Sequence, residues 1–405
     1  MKQIIPFSEV KNFIVAKLLL VSNISTAQHK FMSNLFITIF TMPFRINFLM
    51  MSRFSSYSEK TYRNHFSSGI DLGSFFHQSL IDKKGKDLLF AFDPSFIKKS
   101  GKKTADLGKF WNGKAQQAAQ GLEVGCLSLI DVKEQTAYHY KAQQTQTPST
   151  NNSLVEQYVK IITDEKEAMQ TLSKYVVADG YFMKQKFIKP LTDTGFKIIT
   201  KMRGDANLRE IYQAPASAIK TKGRPKSCGD KINLKNFDIS TWTEIAIPKD
   251  NEKMTAAYEK IVYGVTLKMN IKVVIFLPKN TKEKVILLST DTTLNGSTII
   301  EYYSLRFQIE FLIRDAKQFG GLEDCQARDS KKLNFHFNAA LGSISIAKLT
   351  MWHNKEKPFS MYNIKQQYHN KFIIDSIFSK LDIDLNCQKI KDIYNQTIDI
   401  GSIAA

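Results

Sequence analysis

Between residues 87 and 203 short apolar runs alternate with stretches of helical period, and this alternation restricts the fold more than any other feature of the chain. DLLFAFD (87–93) is a buried run that ends on Asp93. GLEVGCLSLID (121–131) and QTAYHYKAQQT (135–145) read as two strands joined by a tight turn. Residues 153–174 have helical periodicity, and YVVADGYF (175–182) is a short apolar strand ending on Asp179. A helix over 184–191 and a strand over 195–203 follow. Three strands, helix, strand, helix, strand is an α/β order, not an all-β one. Asp93 and Asp179 thus fall at the carboxyl ends of strands, the edge where open α/β sheets bind ligands.

The flanks differ from this core. Residues 1–85 read as a helical, DNA-binding region, because the apolar runs 14–21 and 31–40 lack strand alternation. Ser58 is placed to cap a helix carrying Lys60, Arg63 and His65, although Tyr62 and Phe66 on that helix would equally face a local core. Residues 86–203 form the first part of the core. Residues 204–285 read as a β-rich insertion, with a Gly/Pro/Lys-rich loop at 218–231 and strands near 242–247, 258–267 and 272–277. VILLSTD (285–291) returns to a second core part, 286–330, and residues 331–405 are helical.

Charge narrows the partner. Lys and Arg number 57 against 38 Asp and Glu, a formal +19, which calls for a polyanion, nucleic acid before an anionic membrane surface. Cys126, Cys228, Cys325 and Cys387 are far apart with no CxxC pair, which argues against a zinc site or disulfide scaffold and fits a reducing cytoplasm. The uncharged run 31–44 is too short to span a bilayer, so no membrane role is expected.

The second constraint is YSLRFQIEFLIRDAK (303–317). On one α-helix, Tyr303, Arg306, Glu310 and Lys317 would fall within an arc of roughly 60°. A carboxylate flanked by two cations and a phenol suits a metal ligand whose neighbours grip phosphate. An ordinary solvated face with ion pairs is the alternative. Asp93, Asp179 and Glu310 together would repel one another without a cation, and hard oxygen donors favour Mg²⁺ or Mn²⁺. Two such ions about 4 Å apart serve phosphodiester transfer.

With these residues the chain resembles the DDE transposases of bacterial insertion sequences, in the insertion-sequence-four-like group marked by Tyr, two residues, Arg, three residues, Glu, six residues, Lys. Tyr303, Arg306, Glu310 and Lys317 match that signature. FDPSFIKKSGKKT (92–104), VVADGYF (176–182) and the run from LSTD (288–291) through FGGLEDCQAR (319–328) resemble the group's other blocks. The resemblance covers about 44–350, which makes Met42, Met50 or Met51 alternative starts. It implies an RNase H-like core with the β insertion lying between the second Asp and the Glu. It further implies cut-and-paste transposition through a DNA hairpin, with Asp93, Asp179 and Glu310 holding two Mg²⁺ or Mn²⁺ ions. Tyr303, Arg306 and Lys317 would hold terminal phosphates.

The partners implied are double-stranded DNA, as terminal inverted repeats and target, and a second copy in a homodimer. The expected location is the cytoplasm, at the bacterial nucleoid. Lys98, Lys99, Lys102 and Lys103, and the loop residues Lys222, Arg224 and Lys226, are candidate backbone contacts or solvated loops. Trp242 is a candidate for stacking on a flipped base or a core residue. The competing functions are a catalytically inactive DNA-binding descendant and a general RNase H-like nuclease.

Overall fold

The computed structural model describes residues 6–149, 152–212, 228–234, 236–246, 254–279, 283–352, 357–381 and 387–403. Five helices come first: α1 (Phe7–Leu18), α2 (Thr26–Thr41), α3 (Phe48–Arg53), α4 (Glu59–His65) and α5 (Leu72–Leu80). Strands β1 (Leu88–Lys98), β2 (Gly108–Asn112), β3 (Gln117–Asp131) and β4 (Thr136–Gln144) follow. Next are α6 (Leu154–Thr163), α7 (Lys166–Gln170), β5 (Tyr175–Ala178), α8 (Gln185–Asp193), β6 (Lys197–Lys201), β7 (Leu208–Arg209) and β8 (Thr243–Glu244). The remaining strands are β9 (Met254–Gly264), β10 (Met269–Pro278) and β11 (Val285–Ser289). Helices α9 (Gly296–Leu305), α10 (Phe307–Gln318), α11 (Ser330–Met351), α12 (Met361–Leu381) and α13 (Gln388–Ile398) close the chain.

These elements form two compact units, one of residues 1–86, 94–147 and 308–405, the other of 87–93 and 148–307. In the first, helix starts are set by side chains accepting from the first turn: Ser25 with a reciprocal Gln28, Asn47, Ser58 and Asp71. An aromatic core forms from Phe31, Phe66, Phe75, Phe76 and Phe337, each at most 2% exposed. Tyr62 is buried with its hydroxyl near Asn34, Thr38 and Ser55, and His65 stacks on Phe31 with centroids 4.0 Å apart. On α4, therefore, Tyr62, His65 and Phe66 serve packing, and Lys60 and Arg63 remain exposed.

Strands β3 and β4 form an antiparallel hairpin, whose outer edge is covered by α11. A strand edge buried under a helix leaves N–H and C=O groups that need partners. Here α11 supplies them from its side chains. Asn334 Oδ1 accepts from Gln144 N at 2.7 Å, and Asn338 accepts from Ala142 N at 2.9 Å while donating to Ala142 O at 2.7 Å. Ser345 Oγ accepts from His139 N, and Lys348 Nζ donates to Ala137 O at 2.9 Å. A bulge at Tyr140 makes this possible, because Lys141 pairs with Leu127 and His139 with Ser128. The extra residue turns odd positions toward the helix before it and even positions after it. His139 Nε2 donates to Asn338 Oδ1 at 3.0 Å.

In the second unit the sheet order is β1-β5-β6-β11-β10-β9-β7, with β8 also on β9. β1, β5 and β6 are parallel, and β11, β10 and β9 continue antiparallel. Residues 254–278 extend the same sheet: β10 pairs with β11, and β11 with β6. The physical reason is the buried run Ile271–Ile275, which only a strand covered on both faces can hold. Glu259 ties this part to α9, accepting from Gly296 N at 2.7 Å and from Lys272 Nζ at 3.1 Å.

Two outcomes follow from the α11–β4 seam. Asn338→Ala strands buried groups on Ala142 and should lower stability by about 3 kcal/mol, read by urea denaturation. Burial depresses the His139 pKa to about 3, so the folded ring stays neutral while the unfolded ring titrates near 6.5. This contribution is whole above pH 6.5 and is lost as pH falls from there toward 3. It amounts to about 2 kcal/mol by pH 5, and a His139→Gln variant should show a correspondingly shallower loss of thermal stability on acidification.

Candidate active site

Asp93 lies within β1 rather than at its end, since the strand runs on through Pro94 to Lys98. The Asp-Pro step therefore makes no turn; proline is tolerated in a strand where its missing N–H is not needed by the ladder. β1 and β5 pair in parallel with Phe90 opposite Val176 and Ala91 opposite Val177. Continued two residues, that register sets Asp93 level with Asp179, both on the face shared by Ala91 and Val177. Neighbouring strands are about 4.8 Å apart, so the backbone at the two acids runs side by side.

Asp179 opens a single 3-10 turn and accepts from Tyr181 N at 2.8 Å, while its carbonyl accepts from Thr200 Oγ1 at 2.7 Å. It is a turn cap as well as a candidate ligand, with a second carboxylate oxygen for other work. On the opposite face, Phe92, Tyr158, Phe182 and Phe187 form a buried aromatic cluster, with Phe92 and Phe182 centroids 5.6 Å apart. Phe92 adjoins Asp93 and Phe182 follows Asp179 by three, so the cluster clamps the two segments that carry the acids.

The signature residues do not share one continuous helix. α9 ends at Leu305, Arg306 caps it, with its N–H on Tyr303 O at 3.2 Å, and α10 starts at Phe307. That i→i−3 bond tightens the last turn of α9, and Arg306 itself keeps right-handed helical backbone, with φ −50° and ψ −37°. Tyr303 and Arg306 lie in the second unit, Glu310 and Lys317 in the first. Arg306 is only 6% exposed, with its guanidinium 4.4 Å from the Phe307 ring. Glu310 is half-buried. Lys317 has structural partners, donating to Phe96 O at 2.7 Å and pairing with Glu323 Oε1 at 3.1 Å. It thereby holds the end of α10 to β1. Two glycines then stop the helix. A Cβ on Gly320 would meet Ala340 O at 2.6 Å, and Gly321 has φ +73°.

Lys98, Lys99, Lys102 and Lys103 line a cavity of ≈ 700 Å³ in the first unit together with Arg45 and Arg328. Lys99 donates to Cys325 O, and desolvation lowers its pKa. Arg45 and Arg328 were not singled out in the sequence. Arg328 does end one of the quoted blocks, whereas Arg45 carries no local signal. Lys222, Arg224 and Lys226 lie outside the described residues. Trp242 is 7% exposed and packs edge-on against Phe237, as a core residue does. Asp291 accepts from Tyr175 OH at 3.0 Å and from Thr293 N and Oγ1, which makes it a turn residue. Although its burial opposes ionisation, those hydrogen bonds leave its pKa below the ordinary carboxylate range.

Asp93 and Asp179 are hard oxygen donors of the kind Mg²⁺ or Mn²⁺ takes, and their level placement fits such an ion. Among the described residues there is no group of three or more His, Cys, Asp or Glu that could hold a metal ion. No helix among them is long and apolar enough to cross a membrane. The family model for the transposase DDE domain matches residues 84–346. No curated protein matches the chain. Among solved structures, a cryo-EM structure of the piggyBac transposase synaptic complex with hairpin DNA is similar at TM-score 0.41 and 14% identity. That alignment covers 98% of this chain and 84% of that one, a likeness too distant to assign any residue.

Phe182→Ala should cost about 3–5 kcal/mol by chemical denaturation, because it empties the middle of the aromatic clamp.

Proposed function

Because the chain belongs to the transposase DDE domain family, we propose that it is a metal-dependent transposase that cuts DNA at the ends of its own element and joins those ends to target DNA. What carries the reading is the pair Asp93 and Asp179, each two residues beyond the paired Ala91 and Val177 of parallel β1 and β5, inside the matched span. Glu310 joins them as third ligand on the strength of the signature spacing. The order β1-β5-β6, with α6 and α8 between the strands, supports an RNase H-like core. The +19 charge supports DNA as the partner.

Mg²⁺ or Mn²⁺, when bound, polarises the scissile phosphate and lowers the pKa of an attacking water. The residues do the rest. Asp93, Asp179 and Glu310 hold the ions; Tyr303 and Arg306 hold terminal phosphates. Hydrolysis of one strand frees a 3′-OH, which attacks the opposite strand to form a hairpin that is reopened before joining. Lys317 positions the end of α10 through Phe96 and Glu323. Terminal inverted repeats as the specific substrate, a homodimer on paired ends and a place at the nucleoid belong to the same reading.

Purified protein with Mg²⁺ and a supercoiled plasmid carrying the gene and its flanks tests this. Wild type should cut at flanking repeats, while Asp93→Asn and Glu310→Gln should each lose about three orders of magnitude in rate, about 4 kcal/mol of barrier. Retention of the flanks without nicking by folded wild type would indicate a DNA-binding descendant. Cuts scattered without regard to ends would indicate a general nuclease.

A further inference from the structure

The cavity in the first unit is far more cationic than a solvated loop requires. Arg45, Lys98, Lys102, Lys103 and Arg328 all line it, all are exposed, and among the described residues none makes an ion pair. Its two acids are engaged elsewhere. Glu323 pairs with Lys317 at 3.1 Å, and Asp324 Oδ2 accepts from Ile46 N at 2.9 Å. Six cationic side chains, Lys99 included, face ≈ 700 Å³ against two carboxylates, and their net repulsion is relieved by an anion.

The lining also says which feature of a nucleic acid it meets. No Phe, Tyr, Trp or His lines it, so it offers no ring on which a base could stack. Its arginines present planar forks that match phosphate oxygens, and its lysines act as point charges. Two of the segments that wall it are held in place by the fold. The loop after β1 is fixed through Ala105 N on Arg328 O at 2.9 Å, and the segment after α10 is fixed by the Lys317–Glu323 pair.

We propose that this cavity is a sequence-independent phosphodiester site, which grips the backbone of duplex DNA and takes no part in recognising the element's ends. The proposal rests on the transposase reading and adds to it a division of labour. Affinity for any duplex, target DNA included, comes from here, and discrimination between sequences comes from elsewhere.

The test uses fluorescence anisotropy on full-length wild type and a Lys98→Ala/Lys102→Ala/Arg328→Ala variant of equal melting temperature. The probes are two duplexes, the element's own flank and a scrambled one of equal length, titrated across a range of salt. The variant should bind both duplexes more weakly by the same factor. Its slope of log K against log salt should be shallower by about 2–3, and the ratio between the duplexes should be unchanged. An unchanged slope overturns the proposal, and so does a loss confined to the flank duplex. Wild type that cuts at the flanks while the variant keeps its slope overturns the cavity alone. Wild type that binds neither duplex overturns the transposase reading with it.

Discussion

The first unit depends on a helix doing what a strand usually does. β4 has β3 along one edge and α11 along the other, and a buried edge without partners would cost more than the packing returns. Asn334, Asn338, Ser345 and Lys348 give that edge its hydrogen bonds, at spacings that follow the turns of α11 and allow for the bulge at Tyr140. The network fixes both the register of the helix and the face of the hairpin that meets it. It explains why so polar a set of residues sits on a helix that is buried on almost every side.

The same arrangement marks where sequence reading succeeds and where it stops. The buried runs at 87–93, 121–131 and 175–182 are legible because a strand buried on its faces writes a continuous apolar string. β2, which pairs with β3 through exposed Lys109 and Trp111, has no such string and was not anticipated. The strands at 254–278 were legible as strands, but not as neighbours of β11. Pairing partners at that separation are set by the whole sheet, and local composition does not encode them.

For the candidate site, residue identities were more legible than surroundings. The acids stand out by their place beside apolar runs. The aromatic clamp beneath them does not, because Phe92, Tyr158, Phe182 and Phe187 come from three separate segments with ordinary core composition. Lys317 shows the limit most plainly. Its spacing from Glu310 is visible in the chain, whereas its attachment to Phe96 O and Glu323 needs β1 folded against α10. The cationic cavity is drawn from residues near 45, 98–104 and 323–328, a grouping that only the tertiary fold makes.

α10 carries Glu310 near one end and Lys317 near the other, and Lys317 is bonded to Glu323 in the cavity wall. Seven residues of α-helix rise about 10 Å. The helix thus sets a fixed rise between Glu310 and the Lys317–Glu323 pair in the cavity wall. Their spacing would be fixed by hydrogen-bonded turns and would not vary with the length of any loop.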